Sequence, residues 1–310
     1  MAGEYGPDRP LRVLSLDGGG AKGFYTLGVL HEIEAMAGPL HERFDLVYGT
    51  STGAIIAAMV ALGMPVAEIH ELYKKHVVTV MRRWTPWGKT AALVDLGKEI
   101  FADKDFSVFK TNVGLVCTDW ETERPRIFKT SKAQAFLRTS SFVPGFGCKI
   151  REAVQASCSA YPFFCRTVVQ ANVGKLLLAD GGFCANNPAL YSLADATGSL
   201  GCARADVRLV SIGVGEYPTP SRYLSLGYWF GYLFTVRLLQ KTLEINTQSM
   251  EQLRKVMFPD VPTVRINNKY TKPDLATDLF EHNLDKLGML WRQGSDSFAE
   301  YEAELKKSLM

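Results

Sequence analysis

Apolar residues fall in short blocks along the chain, and the period changes from block to block. Leu11–Leu16 (LRVLSL) predicts a buried strand. Over residues 24–37, Leu27, Leu30 and Ile33 recur at helical spacing, and Gly38-Pro39 stops the helix. Residues 44–48 predict a second strand. Residues 54–62 (AIIAAMVAL) are apolar on every side, so the helix they predict belongs inside the fold. Gly63 suits its C-terminal cap, and Pro65 suits the first turn of a helix running to about residue 81. Residues 82–107, with Trp84 and Trp87, show no clear period and read as irregular. Strands are predicted at 113–117, 126–129, 175–179 and Val207–Ile212, and a helix at 150–156. From about Ser221 the pattern is mainly helical, apart from Thr263–Ile266. Strands alternating with helices predict an α/β fold, a mainly parallel sheet with helices on both faces. No repeat, low-complexity tract or Pro/Ser-rich linker divides the chain, so a single domain over 1–310 is expected, with a core at 11–215 and a mainly helical part at 216–310.

Two glycine-flanked turns interrupt these blocks. The first, Asp17-Gly18-Gly19-Gly20-Ala21-Lys22-Gly23, follows the first strand and fits G-x-G-x-x-G. In a dinucleotide fold an acid should close the second strand, about 20 residues on. Here Asp45 opens that strand, and no Gly-Lys-Ser/Thr is present for a nucleotide phosphate loop. The second turn, Gly49-Thr50-Ser51-Thr52-Gly53, lies between a strand and an apolar helix and reads G-x-S-x-G. That setting lifts a serine hydroxyl clear of the backbone, and the helix dipole favours negative charge there. With Ser51 as candidate nucleophile, Gly18, Gly19 and Gly20 are better read as an oxyanion hole. Removing one such donor costs roughly 3 kcal/mol.

A serine nucleophile needs a base. The order Ser51, Asp180, His282 mimics an α/β-hydrolase triad, but in that fold the nucleophile follows a later strand. Lone surface positions suit all five histidines (His31, His41, His70, His76, His282). The other candidate is Asp180 in LLLADGG, at the end of an apolar strand. Asp-Gly also marks an Asx-turn. Burial at a strand end would raise a carboxyl pKa into the range of a useful base.

Composition changes this picture little. The 310 residues are 47% hydrophobic and 22% charged, with a net charge of +3. This balance does not suggest DNA or RNA as a partner and is compatible with an anionic membrane surface. The start of the chain carries no apolar signal segment, and no run is long enough to span a membrane. The six cysteines show neither C-x-x-C nor zinc spacing, which suits reduced thiols in a cytoplasmic protein; no metal and no organic cofactor are expected.

Asp-Gly-Gly-Gly-x-Lys-Gly, Gly-Thr-Ser-Thr-Gly and Asp180-Gly181-Gly182, in this order, resemble the patatin-like phospholipases over most of the chain. Ala156-Ser157-Cys158-Ser159-Ala160-Tyr161-Pro162, Asn186-Asn187-Pro188 and Ser211-Ile212-Gly213-Val214-Gly215 resemble further segments of that family. The resemblance implies a three-layer α/β/α fold and hydrolysis of phospholipid acyl esters by a Ser51–Asp180 dyad without histidine, with Gly18, Gly19 and Gly20 as oxyanion hole. Many members carry arginine where this chain has Lys22; lysine keeps the charge and loses the bidentate fork. Contact with a lipid phosphate and support of the loop both stay open for Lys22. The wording DGGGAKGFYTLGVLHEIEAM followed by GTSTGAIIA also resembles bacterial anti-phage effectors of this family. That implies a cyclic dinucleotide activator, peripheral contact with the inner membrane and assembly into a homo-oligomer.

Lipid has two candidate entry points. Residues 223–234 (YLSLGYWFGYLF) suit a lid, a membrane contact or core, and residues 81–87 (MRRWTPW) set paired arginines beside tryptophans. The competing functions are a constitutive, non-specific lipid acyl hydrolase, a non-catalytic lipid-binding protein and a nucleotide-dependent oxidoreductase.

Overall fold

Alternation within single strands assigns the two faces of the central sheet. In β1 (Leu11–Leu16), Leu11 and Val13 point into one apolar cluster, and Leu14 and Leu16 into the other. β7 (Val207–Ile212) repeats this, with Val207 and Leu209 on one face and Val210 and Ile212 on the other. A sheet apolar on both faces must be covered on both. This computed structural model describes residues 5–135, 141–218 and 229–310, with the side chains of 229–234 left aside.

The chain runs β1, α1 (Gly23–Ala37), α2 (Leu40–Arg43), β2 (Leu46–Thr50), α3 (Thr52–Ala61), α4 (Val66–Arg82), α5 (Pro86–Phe101), β3 (Asn112–Asp119) and β4 (Arg124–Lys129). It continues through α6 (Ile150–Ser157), β5 (Thr167–Ala171), β6 (Gly174–Asp180), α7 (Gly182–Ala185), α8 (Ala189–Ala194), β7, α9 (Trp229–Met257), β8 (Thr263–Ile266) and α10 (Leu284–Leu309). The sheet order is β5-β6-β3-β2-β1-β7-β8, with β4 also on β3. The five strands β3-β2-β1-β7-β8 are mutually parallel; β4, β5 and β6 are antiparallel to their neighbours. The expected α/β/α architecture with a mainly parallel sheet is therefore present.

α3 is buried along its whole length, as its all-apolar sequence predicts. Each large aliphatic side chain so buried contributes about 1.5–3 kcal/mol. The irregular reading of 82–107 is overturned by α5. Thr85 caps it by accepting from the Gly88 N–H at 3.1 Å, Pro86 opens it, and Ala92, Leu93, Leu96 and Ile100 form its buried stripe. Exposed Trp84 and Trp87 beside the cap obscured that period. β5 was not predicted either: a five-residue strand paired only through β6 carries too few apolar positions to show a period. The aromatic stretch 223–234 lies outside the described side chains; of it, only the helical backbone from Trp229 is described.

One feature of the register positions the site. β3 pairs along one edge with β4 throughout residues 114–119. Along its other edge it pairs first with β2, ending at Thr50↔Val116, and then with β6, beginning at Cys117↔Asp180. β2 and β6 therefore run toward each other along the same edge of β3 and meet end to end. Their last residues bring Ser51 and Asp180 to adjacent register positions.

Candidate active site

Ser51 sits between β2 and α3 with φ 53° and ψ −122°. A non-glycine residue there is strained. The flanking glycines are required by contact. A Cβ at Gly49 would lie 2.3 Å from the Gly53 carbonyl oxygen, and one at Gly53 would lie 2.3 Å from the Leu16 carbonyl oxygen. The Ser51 N–H donates to Ser157 Oγ at 2.9 Å, and Ser157 Oγ donates to the Val116 carbonyl at 2.6 Å. The strained turn is thus tied to β3 through one buried serine.

The Ser51 hydroxyl donates to Asp180 Oδ2 at 2.7 Å. Asp180 Oδ1 accepts from the Gly182 N–H at 2.7 Å. The Asp180 amide donates to the Ser159 carbonyl at 3.0 Å, and Thr118 Oγ1 donates to the Asp180 carbonyl at 2.8 Å. Burial pushes the Asp180 carboxyl up to about 6, against the pull of the Gly182 N–H and the Ser51 hydroxyl. A carboxylate so tuned is ionised at neutral pH and basic enough to take a proton from an attacking hydroxyl. Ser157, Ser159 and Thr118 carried no assigned role in the sequence. Ser157 and Ser159 lie in the small-residue segment, but their partners are 40 or more positions away, or around a bend, and left no local signal.

The glycine loop divides its work. The Gly18 N–H is already engaged with the Asn186 carbonyl at 2.9 Å. The amides of Gly19 and Gly20 donate to no group among the described residues. Asp17 pairs with Arg265, whose Nη1 also donates to Ser211 Oγ at 2.8 Å. Burial raises the Asp17 carboxyl and Arg265 opposes this. The acid that opens the glycine motif therefore fastens β1 to β8.

Two cavities flank this loop. A narrow slot of about 50 Å³ contains Ser51 and Asp180 and is walled by Ile55, Val77, Met81, Leu96, Phe164 and Phe280 among others. A wider cavity of about 750 Å³ has a polar rim and includes Lys22. Lys22 is 4% exposed, and burial lowers its pKa against the pull of Glu244, Asp278 and Glu216. It does not line the slot. None of the five histidines lines the slot; His282 is exposed, with Nδ1 3.1 Å from the Phe280 carbonyl.

Residues 14–193 match the family described as Patatin-like phospholipase. The chain belongs to the patatin-like phospholipase family. It is accordingly a hydrolase of lipid acyl esters. Among its relatives is a cUMP-AMP-activated phospholipase of Escherichia coli, 55% identical over 99% of this chain and 96% of that one. A cGAMP-activated phospholipase of Escherichia coli (strain TW11681) is 29% identical over 81% of this chain and 76% of that one. The crystal structure of VipD from Legionella pneumophila has a TM-score of 0.50 at 14% identity, covering 98% of this chain and 68% of that one, a likeness of fold. No metal-binding group of three or more His, Cys, Asp or Glu is found among the described residues of this patatin-like phospholipase.

Proposed function

We propose that this patatin-like enzyme hydrolyses membrane phospholipids through Ser51 and Asp180, and that a cyclic dinucleotide switches it on. The 2.7 Å bond from the Ser51 hydroxyl to Asp180, at a strained turn beside an apolar slot, carries the catalytic reading. Ser51 Oγ attacks the ester carbonyl while its proton passes to Asp180 Oδ2. The carbonyl oxygen becomes an oxyanion, held by the amides of Gly19 and Gly20 and favoured by the N-terminus of α3. Gly18 holds the loop against Asn186 rather than the oxyanion. The tetrahedral species collapses, the C–O bond to the glycerol backbone breaks, and protonated Asp180 returns its proton to the leaving oxygen. Asp180 then takes a proton from water, which attacks the acyl-enzyme. Fatty acid leaves and Ser51 regains its hydrogen.

Lipid access is proposed at residues 82–87. Trp84 and Trp87 are 85% and 75% exposed, next to Arg82 and Arg83. α4 and α5, which this segment joins, supply Val77, Val80, Met81, Leu93 and Leu96 to the slot. Docking of tryptophans and arginines on an anionic bilayer brings the slot to the lipid. The contact proposed is peripheral; no helix among the described residues is long and apolar enough to cross a membrane.

Activation is proposed from the full-length similarity to the cUMP-AMP-activated relative. The deciding experiment measures fatty-acid release from phospholipid vesicles by wild type and Ser51→Ala, with and without a panel of cyclic dinucleotides. Release that needs both Ser51 and one nucleotide is expected. Ser51-dependent release indifferent to every nucleotide would remove the switch, and full activity of Ser51→Ala would remove the dyad.

A further inference from the structure

The wide cavity beside the glycine loop has no part in the chemistry at Ser51, yet it is the larger of the two. It opens at the carboxyl ends of β1, β7 and β8, between Asp17–Gly19, residues 214–218, Asn267–Thr271 and one face of α9. From β1 the chain passes through α1 to β2 on one side, while β7, on the other side of β1, comes from much later in the sequence. The crevice at such a topological switch point is where open α/β sheets bind ligands. At about 750 Å³ the cavity lies within the usual range for small-molecule sites, roughly 300–1,000 Å³.

Its lining holds polar groups that the fold leaves unsatisfied. Lys22 is 4% exposed, and its ammonium makes no hydrogen bond or ion pair among the described residues. Asn186 Oδ1 and the Tyr217 hydroxyl, both buried, have no partner among the described residues. A buried group left unpaired is costly, and a charge more so than a neutral group. A buried, unpaired cation in the lining describes a ligand with anionic groups. Tyr217 stacks on Tyr270 at 5.0 Å and 10°, an aromatic face on which a base can lie. Lys269 adds an exposed second cation at the rim.

We infer that this cavity is the activator site, binding a cyclic dinucleotide with its phosphates toward Lys22 and Lys269 and a base against Tyr217. The inference rests on the activation reading above. It also connects the ligand to the slot, because Gly19, Leu243 and Leu279 line both cavities. At about 50 Å³ the slot is far below the size of a lipid pocket. A ligand that displaces this shared wall widens the slot and lets an acyl chain reach Ser51.

Isothermal titration of the full chain with cyclic UMP–AMP and cyclic GMP–AMP tests the site. Ser51→Ala is expected to bind as wild type does. Lys269→Glu is expected to lose about tenfold or more in affinity, as for a charged hydrogen bond, and Tyr217→Ala about fivefold or more, as for a stacked base. Lys175→Glu, an equal charge change at the exposed start of β6, is expected to keep wild-type affinity. Melting curves verify that each variant is folded. Wild-type affinity in folded Lys269→Glu and Tyr217→Ala would overturn the location while leaving the activation reading standing. Binding of neither nucleotide by wild type would overturn both. Displacement of bound nucleotide by millimolar glycerophosphoglycerol would assign the cavity to the substrate headgroup and overturn the inference.

Discussion

The slot that holds Ser51 and the cavity that holds Lys22 are separated by the Gly18–Gly20 loop and by one face of α9. In the slot the groups proposed to react are already in place: Ser51 is bonded to Asp180, and Asp180 is satisfied on both oxygens. The walls are apolar and close together. In the cavity the reverse holds. There is ample room, and the Lys22 ammonium in its lining has no partner among the described residues. On the proposed switch, then, access rather than chemistry is what the activator changes: the proposed dyad is already bonded, whereas an acyl chain needs space that the slot does not offer.

The largest effects should come from the dyad. Ser51→Ala is expected to lower fatty-acid release on the order of 10⁴-fold or more, and Asp180→Asn by about 10²–10⁴-fold, the range of a general base. Neither should change nucleotide affinity, as titration calorimetry would show; a loss of binding in either would mean that the two cavities are not separate sites. Gly53→Ala should come next. Its Cβ would meet the Leu16 carbonyl oxygen at 2.3 Å, so a loss of about 3 kcal/mol or more of stability is expected in denaturant melts.

The pH dependence sharpens the claim that the chemistry is ready. Asp180 acts as base only when ionised, so turnover should rise through an apparent pKa of about 6 and level off above it. The sign for stability is opposite. A buried carboxyl raised above its unfolded value binds its proton more tightly in the folded state. Its cost to stability therefore appears as pH rises from about 3.8 to about 6 and is complete above that. Asp180→Asn should accordingly be more stable than wild type at pH 8, by about 2–3 kcal/mol, and lose that advantage near pH 4. A pH profile flat from 5 to 8 would contradict the assignment of the base.

The smallest effects concern access. Leu243→Ala trims the shared wall and should raise nucleotide-independent release a few-fold, at about 2 kcal/mol of stability. Trp84→Ala with Trp87→Ala should weaken sedimentation with anionic vesicles about tenfold while leaving hydrolysis of a soluble ester unchanged. Unchanged vesicle binding would remove residues 82–87 from the membrane contact.

Much of this was legible in the chain. Leu11–Leu16, Val207–Ile212 and Thr263–Ile266 are strands at the predicted bounds, because buried parallel strands are short apolar runs between turn residues. The serine turn was legible for a similar reason. Its glycines are dictated by backbone contacts within five residues and against the neighbouring strand, and Ser51 must follow. Local chemistry of this kind, together with the apolar α3, pointed to an α/β hydrolase with Ser51 as the candidate nucleophile. What the sequence did not carry was which groups meet across the sheet. Asp180 was expected to emerge near Ser51, but nothing in LLLADGG shows that β6 runs antiparallel along the edge of β3 until it meets β2. Nor does the glycine motif show that Gly18 is engaged by Asn186, that Asp17 holds Arg265, or that Lys22 turns away from the slot. Strand register and cavity walls are set by contacts between residues far apart in the chain, such as Thr50 with Val116, Cys117 with Asp180 and Asp17 with Arg265. Periodicity registers a side chain's face but not its partner, so the serine turn was a property of the sequence, and the meeting of Ser51 with Asp180 and the separation of the two cavities were decisions of the tertiary structure.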